Sequence, residues 1–322
     1  MCATRDIKHL LDRGRIWLAP MAGVNDPVFR GLCLEQGAAL TYTEMISAKG
    51  LMYGSDGSAD LLTLAPGEAS CAVQLFGDDP RVITREALRI QEEWGDALAL
   101  LDVNMGCPVR KVVKNGEGSA LMRDPVLAQR IVSSLSEALD VPVTCKFRSG
   151  WDAEHICAVD FAKRMQEAGA SAIAVHPRTT AQLYSGKSDW SILSRVKEVV
   201  DIPVIGSGDL FSHDDCERMF TTCCVDAVMV ARGAQGNPWI FNGHQATAVD
   251  KCRMALRHER GLAAMMGERA LGKLRKHMAW YLTGLPHATS VRDQVMRIES
   301  IDELDSFICE LEDRMQALER GE

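Results

Sequence analysis

Short β-rich runs that alternate with amphipathic helical stretches constrain the fold of this chain more than any other feature. Eight such runs recur along the first three quarters of the sequence, at residues 16–20, 40–44, 71–76, 99–104, 143–148, 172–176, 203–206 and 227–232. Helical stretches lie between most of them, at residues 81–94, 125–139, 158–168, 192–199 and 214–222. Eight strands alternating with helices predict a (β/α)8 TIM barrel. A doubly wound parallel sheet is the alternative, although five or six strands are its usual complement.

The strand pattern stops near Trp239, and residues 245–322 are dominated by helix-forming residues. We therefore predict two domains: a barrel over residues 1–240 and a small C-terminal helical domain over residues 241–322. Within residues 268–282, helical spacing puts four apolar side chains on one face, namely Leu271, Leu274, Met278 and Leu282. It puts Arg269, Lys273 and Lys276 on the opposite face. Residues 302–322 carry no basic excess and are typical of a structural terminal helix.

The helical region concentrates positive charge on an otherwise acidic protein. The formal net charge of the chain is −8. Between residues 251 and 292, however, there are nine basic residues and only two acidic ones, Glu259 and Glu268. The basic residues are Lys251, Arg253, Arg257, Arg260, Arg269, Lys273, Arg275, Lys276 and Arg292. This pattern indicates an anionic partner that docks in one place. The alternative is a solvated charged face on a helix that packs through its leucines.

Composition narrows the class of protein. No apolar run approaches the roughly 20 residues that span a bilayer, and residues 1–8 lack the apolar segment of a signal peptide. We therefore expect a cytoplasmic protein with no membrane contact. The 11 cysteines are scattered without metal-ligand spacing, which predicts reduced thiols and no metal site.

In a (β/α)8 barrel the active site lies at the carboxyl ends of the strands. Unusual residues fall at the carboxyl ends of seven of the predicted strands: Pro20, Met21 and Ala22; Gln74; Asn104 and Cys107; Lys146; His176 and Arg178; Ser207, Gly208 and Asp209; Ala231 and Arg232. Glycine-rich ends of the seventh and eighth strands commonly bind phosphate. A phosphorylated ring cofactor such as FMN fits this pattern. Each of these residues also has a purely structural interpretation. Lys146 could only neutralise a neighbouring carboxylate, and His176 could be a hydrogen-bonded core histidine.

The segment Asn104-Met-Gly-Cys-Pro108 holds the strongest candidate for a reacting group. A buried run ends at Asn104, and Cys107 follows just before a proline-stiffened turn. A thiol in this position is typical of a reacting group, although free cysteines are more often small buried hydrophobic residues.

At these residues the chain resembles the tRNA-dihydrouridine synthases, most closely the bacterial B-type subgroup. The resemblance covers roughly residues 15–285, in the order of the family's motifs. The motifs lie at residues 19–23, 73–77, 102–108, 115–121, 176–179, 184–187, 233–239 and 275–281.

The resemblance implies an FMN-binding barrel and a helical tRNA-binding domain in a protein that reduces the C5–C6 double bond of tRNA uridines with NADPH. Nothing in the sequence requires more than a monomer, so we expect one. It assigns the proton donor to Cys107. The implied flavin contacts are Pro20, Met21, Ala22, Gln74, Lys146, His176, Ser207, Gly208, Asp209, Ala231 and Arg232. Asn104 and Arg178 match residues near the flavin and the uracil. Arg269, Lys273, Arg275 and Lys276 are expected to bind tRNA phosphates.

The chemistry assigns roles to these residues. Hydride from reduced flavin would attack uracil C6, so negative charge develops on C5 and O4, and Lys146, Arg178 or Asn104 would stabilise it. A thiol with a pKa of about 8.5 is mostly protonated at neutral pH, so Cys107 can donate a proton to C5. Two rival functions remain: an FMN-dependent reductase of a free pyrimidine or another enone, and a non-enzymatic RNA-binding protein on a degenerate barrel.

Overall fold

The computed structural model describes residues 7–321. Residues 1–6, part of the segment without a signal-peptide pattern, lie outside that range. Eight parallel strands form one sheet, which confirms the predicted (β/α)8 architecture. The strands are β1 (Ile16–Leu18), β2 (Tyr42–Ser47), β3 (Cys71–Phe76), β4 (Leu98–Met105), β5 (Val143–Arg148), β6 (Ala172–His176), β7 (Val204–Ser207) and β8 (Ala227–Val230).

The sheet curls until its two edge strands meet. Its order is β1-β8-β7-β6-β5-β4-β3-β2, so that β1 and β2 are the edges. The N–H of Leu18 donates to the Leu40 carbonyl at 2.9 Å, and the N–H of Ala39 donates to the Ile16 carbonyl at 3.0 Å. These two bonds join β1 to the segment that precedes β2, and they satisfy backbone groups that an open edge would expose.

Helices connect the strands and then form the C-terminal region. They are α1 (Lys8–Arg13), α2 (Pro27–Glu35), α3 (Ala48–Met52), α4 (Asp56–Ala59), α5 (Pro80–Trp94), α6 (Arg110–Lys114), α7 (Pro125–Ala138), α8 (Ala158–Glu167), α9 (Ser191–Lys197), α10 (His213–Cys223), α11 (Ala248–Met266), α12 (Leu271–Tyr281), α13 (Ala288–Val295) and α14 (Ile301–Arg320). Asp-Pro pairs begin α2, α5 and α7. In each pair the aspartate caps a free N–H group, and the proline occupies a first-turn position where no donor is needed.

The side chains that line the barrel interior differ between its base and its mouth. Trp17, Tyr42, Ala72 and Leu100 belong to one buried apolar cluster together with Ile7 near α1. Side chains two and four residues further along a strand lie on the same face, closer to its carboxyl end. The interior face therefore changes from apolar at its base to polar at the mouth.

The helical region has its own apolar cluster. Leu274, Met278 and Leu282 are fully buried and Leu271 is nearly so, which confirms the predicted apolar face of α12. Trp239 and, from α2, Leu32 join the same cluster. The boundary at residue 240 remains a prediction, since the cluster draws on residues from both sides of it.

Two further features concern the described residues. The ten cysteines in the described part of the chain are unpaired thiols. Among residues 7–321, no helix combines the length and apolarity needed to cross a bilayer.

Candidate active site at the barrel mouth

A cavity of about 510 Å³ lies at the carboxyl ends of the strands. It brings together twelve of the residues selected from the sequence: Pro20, Met21, Ala22, Asn104, Cys107, Lys146, His176, Ser207, Gly208, Asp209, Ala231 and Arg232. A cavity of this size is typical of small-molecule and cofactor sites. Two other selected residues, Gln74 and Arg178, are not among the residues that line it.

The amide of Asn104 fixes the loop that carries Cys107. Its Oδ1 accepts the backbone N–H of Cys107 at 2.9 Å and that of Gly106 at 3.2 Å. Its Nδ2 donates to Gln74 Oε1 at 2.8 Å. Because both ends of the Asn104 side chain are engaged, the thiol is attached to the rigid end of β4 rather than to a free loop.

Gln74 and Asp102 continue this network below the cavity. Gln74 Nε2 donates to Asp102 Oδ2 at 2.6 Å, and Thr144 Oγ1 donates to Asp102 Oδ1 at 2.5 Å. Gln74, selected as a cofactor contact, is 1% exposed and holds Asn104 from beneath. Burial raises the pKa of Asp102 to about 6, although Gln74, Thr144 and Lys146 lower it. Asp102 was not among the residues selected from the sequence, although the two-residue period of β4 places it on the same face as Asn104.

The Cys107 thiol is suited to donate a proton. Burial raises its pKa above the ordinary value, and the Val109 N–H and the positive charge of Arg148 oppose that rise only in part. The thiol therefore stays protonated at neutral pH, as a general acid requires and unlike a nucleophilic cysteine.

The cavity has a strongly positive environment. Burial and the nearby Arg148 lower the pKa of Lys146 to about 8, against a smaller opposing effect of Asp102. The pKa of His176 is lowered to about 2, first by burial and then by the charges of Lys146, Arg148, Arg178 and Arg232. At neutral pH His176 is thus an uncharged hydrogen-bonding group surrounded by cations.

Arg148 is a cavity residue that the sequence analysis did not select. Its guanidinium donates to the carbonyls of Gly106 at 2.8 Å, Thr179 at 2.9 Å and Leu183 at 2.8 Å. It therefore ties the Cys107 loop to the loop after β6. A signal was present, since Arg148 lies two residues after Lys146 and so on the same strand face.

Arg178 lies behind the cavity wall, where it supports other residues. It is 2% exposed, and its guanidinium binds Asp209 Oδ2 at 2.7 Å and the Gly186 carbonyl at 2.7 Å. Its Nη1 lies 3.4 Å from His176 Nε2. Because a guanidinium only donates, His176 Nε2 is the acceptor and Nδ1 carries the proton. This placement does not support direct contact between Arg178 and a substrate.

The ends of β7 and β8 meet at the opposite side of the cavity. Asp209 has a left-handed backbone with φ of 57° and accepts a hydrogen bond from the Ser188 N–H at 2.8 Å. The Ser188 hydroxyl, by contrast, is buried without a partner within the described chain. A side chain at Gly208 would come within 2.8 Å of the His176 ring. The glycine is therefore needed for His176 to lie against this turn.

The four basic residues selected near α12 differ in their exposure and in their contacts. Arg269 and Lys276 are exposed, but Lys273 Nζ lies 3.5 Å from Oε1 of Glu44 within β2. Arg275 donates to the Ile298 carbonyl instead. Of these four residues, Arg269 and Lys276 are thus the exposed ones, and Lys273 is partly neutralised.

The positive charges of α11 are also largely paired. Arg253 binds Glu312 at 2.8 Å and Arg260 binds Asp305 at 2.6 Å, both across to α14, while Arg257 binds Glu35 of α2 at 2.6 Å. The expectation of one concentrated basic face is therefore wrong for α11. Its arginines instead bind carboxylates of α14 and α2.

Comparisons with known proteins identify relatives of this chain. The family model for dihydrouridine synthase matches residues 17–318. The tRNA-dihydrouridine synthase B of Pseudomonas aeruginosa is 36% identical over 300 residues, which cover 89% of this chain and 90% of that protein. A probable tRNA-dihydrouridine synthase 1 of Synechocystis is 36% identical over 309 residues, covering 92% of this chain and 86% of that protein.

The barrel itself also has structural relatives. A solved structure of 6-hydroxypseudooxynicotine amine oxidase from Pseudomonas geniculata superposes with a TM-score of 0.54 at 14% identity, covering 71% of this chain and 46% of that one. At this identity the likeness shows the fold alone.

Proposed function

The chain belongs to the dihydrouridine synthase family, and on that basis we propose that it reduces the C5–C6 double bond of uridines in tRNA with bound FMN and with NADPH as reductant. The observation that carries the proposal is a protonated thiol, Cys107, at the mouth of a positively charged barrel cavity. Both parts are needed, because the reaction adds a proton to carbon and develops negative charge on oxygen.

The residues of the cavity fit a phosphorylated flavin. The donor set is cationic, since Lys146, Arg148 and Arg232 line one cavity, and an anionic cofactor would compensate their charge. Ser188, beside Gly208, has a buried hydroxyl without a partner in the described chain. Ser207, Gly208, Asp209, Ala231 and Arg232 would hold the phosphate, and Pro20, Met21, Ala22, Lys146 and His176 would hold the ring. When bound, FMN would supply the hydride for uracil C6.

Cys107 would hold the proton that C5 requires. The Asn104 contacts to the backbone of Gly106 and Cys107 orient the thiol, and burial keeps it protonated. Donation leaves a thiolate, which Arg148 stabilises electrostatically until solvent reprotonates it. The role of Gln74 would then be to position Asn104 rather than to contact the cofactor.

Lys146 and His176 would divide the stabilisation of negative charge. Lys146 is the cation of the pair below a pH of about 8. His176 is neutral and would contribute one Nδ1–H donor, since Arg178 is directed at its Nε2. Donors that are already oriented when charge develops are the most effective form of electrostatic catalysis.

A uridine within folded tRNA would have to leave its stack to enter this cavity. Tyr184 and Phe211 line the mouth and are 55% and 52% exposed, so they offer aromatic surfaces to neighbouring bases. Arg269 and Lys276 would contact backbone phosphates nearby.

The test is direct modification of tRNA lacking dihydrouridine by the FMN-loaded protein and NADPH, followed by mass-spectrometric mapping. We expect dihydrouridine at defined positions and no comparable reduction of free uridine. Equal activity on free uridine would support the free-pyrimidine reductase instead, and a protein that binds no FMN would contradict the proposal. Mapping tRNA from cells that lack the protein would identify the modified position.

A further inference from the structure

Three side chains of metal-ligand type meet where the barrel contacts the helical region. Asp26 caps the start of α2, His258 lies in α11 and His277 lies in α12. Each offers one ligand atom, and these atoms lie within 4.8 Å of one another. Both histidines are fully buried and Asp26 is 3% exposed. None of the three lines the cavity at the barrel mouth.

The separations between the ligand atoms suit a single small cation. His258 Nε2 lies 3.1 Å from Asp26 Oδ2, and His277 Nε2 lies 3.2 Å from the same oxygen. Zinc bonds of about 2.0 Å in a tetrahedral site put neighbouring ligand atoms about 3.3 Å apart. Two imidazoles and one carboxylate are a common protein set for this metal.

His277 provides a second, independent observation. Neither of its ring nitrogens has a hydrogen-bond partner within the described chain, although the residue is fully buried. Its Nε2 is close to Asp26 but does not form a hydrogen bond of ordinary geometry. A buried imidazole nitrogen without a well-formed hydrogen bond is costly, and a metal at the centre of the cluster would satisfy Nε2, whose present neighbour is Asp26 Oδ2 at 3.2 Å.

The surroundings agree with a ligand role. His258 Nδ1 lies 3.2 Å from the Tyr281 hydroxyl, which is the outer contact that orients a ligating histidine. Phe29 stacks on His258 at 5.9 Å and Trp280 packs edge-on against His277 at 5.1 Å, so the cluster has an apolar shell.

We propose that Asp26, His258 and His277 bind a divalent transition metal of the zinc class, which fastens α11 and α12 to the start of α2. Asp26 also lines a separate cavity of about 360 Å³, from which a water molecule can supply the fourth ligand. The role is structural, because the site lies apart from Cys107 and helps to fix the helix that carries Lys273 and Lys276. Spacing motifs could not reveal the site, since His258 is 232 residues from Asp26 along the chain.

The experiment compares three proteins purified without a histidine tag and without chelator: the unaltered chain, His277→Gln and His244→Gln. His244 is a matched control, because it lies 3.4 Å from Asp250 in an exposed His–Asp pair. Metal content is measured by mass spectrometry. The chelator-treated unaltered protein is then titrated with Co²⁺, and its thermal unfolding is followed with and without added Zn²⁺.

We expect about one zinc per chain in the unaltered protein and in His244→Gln, and at least a tenfold loss in His277→Gln. Bound Co²⁺ should show visible bands of a nitrogen- and oxygen-ligated ion without the charge-transfer band of a thiolate. Added Zn²⁺ should raise the midpoint of the chelated protein by about 5 °C or more.

If His277→Gln does not fold, the metal content, the cobalt spectrum and the thermal shift of the unaltered chain decide the matter. A metal-free chain with no cobalt bands and no thermal shift would overturn the proposal and leave a hydrogen-bonded triad. A thiolate band, or equal metal in a folded His277→Gln, would also overturn it by assigning the metal to other residues.

Discussion

The barrel mouth and the helical region both concentrate cations, but they use them differently. At the mouth, Lys146 and Arg148 are enclosed within one cavity, and their charges add to the effect of burial in lowering the pKa of His176. In the helical region, Arg253 and Arg260 lie in ion pairs on the surface, with side chains 58% exposed. An enclosed charge interacts more strongly with an anion than an exposed, ion-paired charge does. We therefore expect enclosure, rather than the number of basic residues, to determine where this chain stabilises an anion.

Replacement of the enclosed cation at the centre of the mouth should have the largest effect. We expect Lys146→Met to slow dihydrouridine formation by about 100-fold or more, because one preorganised charge near the developing anion is lost. Arg253→Met, a surface cation paired with Glu312, is the matched control and should leave the rate unchanged. Single-turnover assays on tRNA give both rates. Similar rates for the two variants would show that the enclosed cation at the barrel mouth matters no more for the reaction than the surface cation of the helical region.

The same comparison extends to stability. Arg178→Met should lower the free energy of unfolding by about 3 kcal/mol, because Asp209 loses its buried partner. Arg260→Met removes a solvent-exposed pair with Asp305 and should cost no more than about 1 kcal/mol. Urea denaturation of the two apoproteins measures the difference, and equal losses would show that enclosure adds nothing to the ion pair.

The lowered pKa of Lys146 gives a pH dependence with a definite sign. Its folded-state pKa of about 8 lies below the ordinary 10.5, so the unfolded chain binds more protons between these two pH values. The free energy of unfolding should therefore rise with pH across this window, by about 3 kcal/mol relative to Lys146→Met. Denaturation of both apoproteins at several pH values tests this, and a difference that stays flat or falls would contradict the enclosure of Lys146.

The smallest expected effect concerns tRNA binding. Arg269→Gln combined with Lys276→Gln should weaken binding several-fold and reduce the dependence of log affinity on log salt by between about 1 and 2. Arg253→Gln combined with Arg257→Gln removes cations that already form ion pairs with carboxylates. This double variant should therefore change the slope of log affinity against log salt only a little. Titrations at several salt concentrations measure both pairs. A larger effect of Arg253→Gln combined with Arg257→Gln would indicate that tRNA contacts α11 instead.

The sequence predicted the barrel and most of its mouth because strand ends follow a local rule. Asn104, Lys146 and His176 could be selected from their positions at those ends. The division of charge in the helical region could not be predicted, since the partner of Arg257 is Glu35, far away in the sequence. The Asp26 cluster was missed for the same reason, because its members meet only after the helical region packs on the barrel.

The most direct test of the account is to separate the two halves of the reaction in Cys107→Ala, with Cys157→Ala as a half-buried control outside the cavity. Anaerobic reduction of bound FMN by NADPH and dihydrouridine formed in tRNA are measured on the same preparation. The account predicts that flavin reduction in Cys107→Ala stays within about twofold of the unaltered protein while dihydrouridine formation falls by about 100-fold or more. Undiminished dihydrouridine formation by that variant would contradict the assignment of Cys107 as the proton donor.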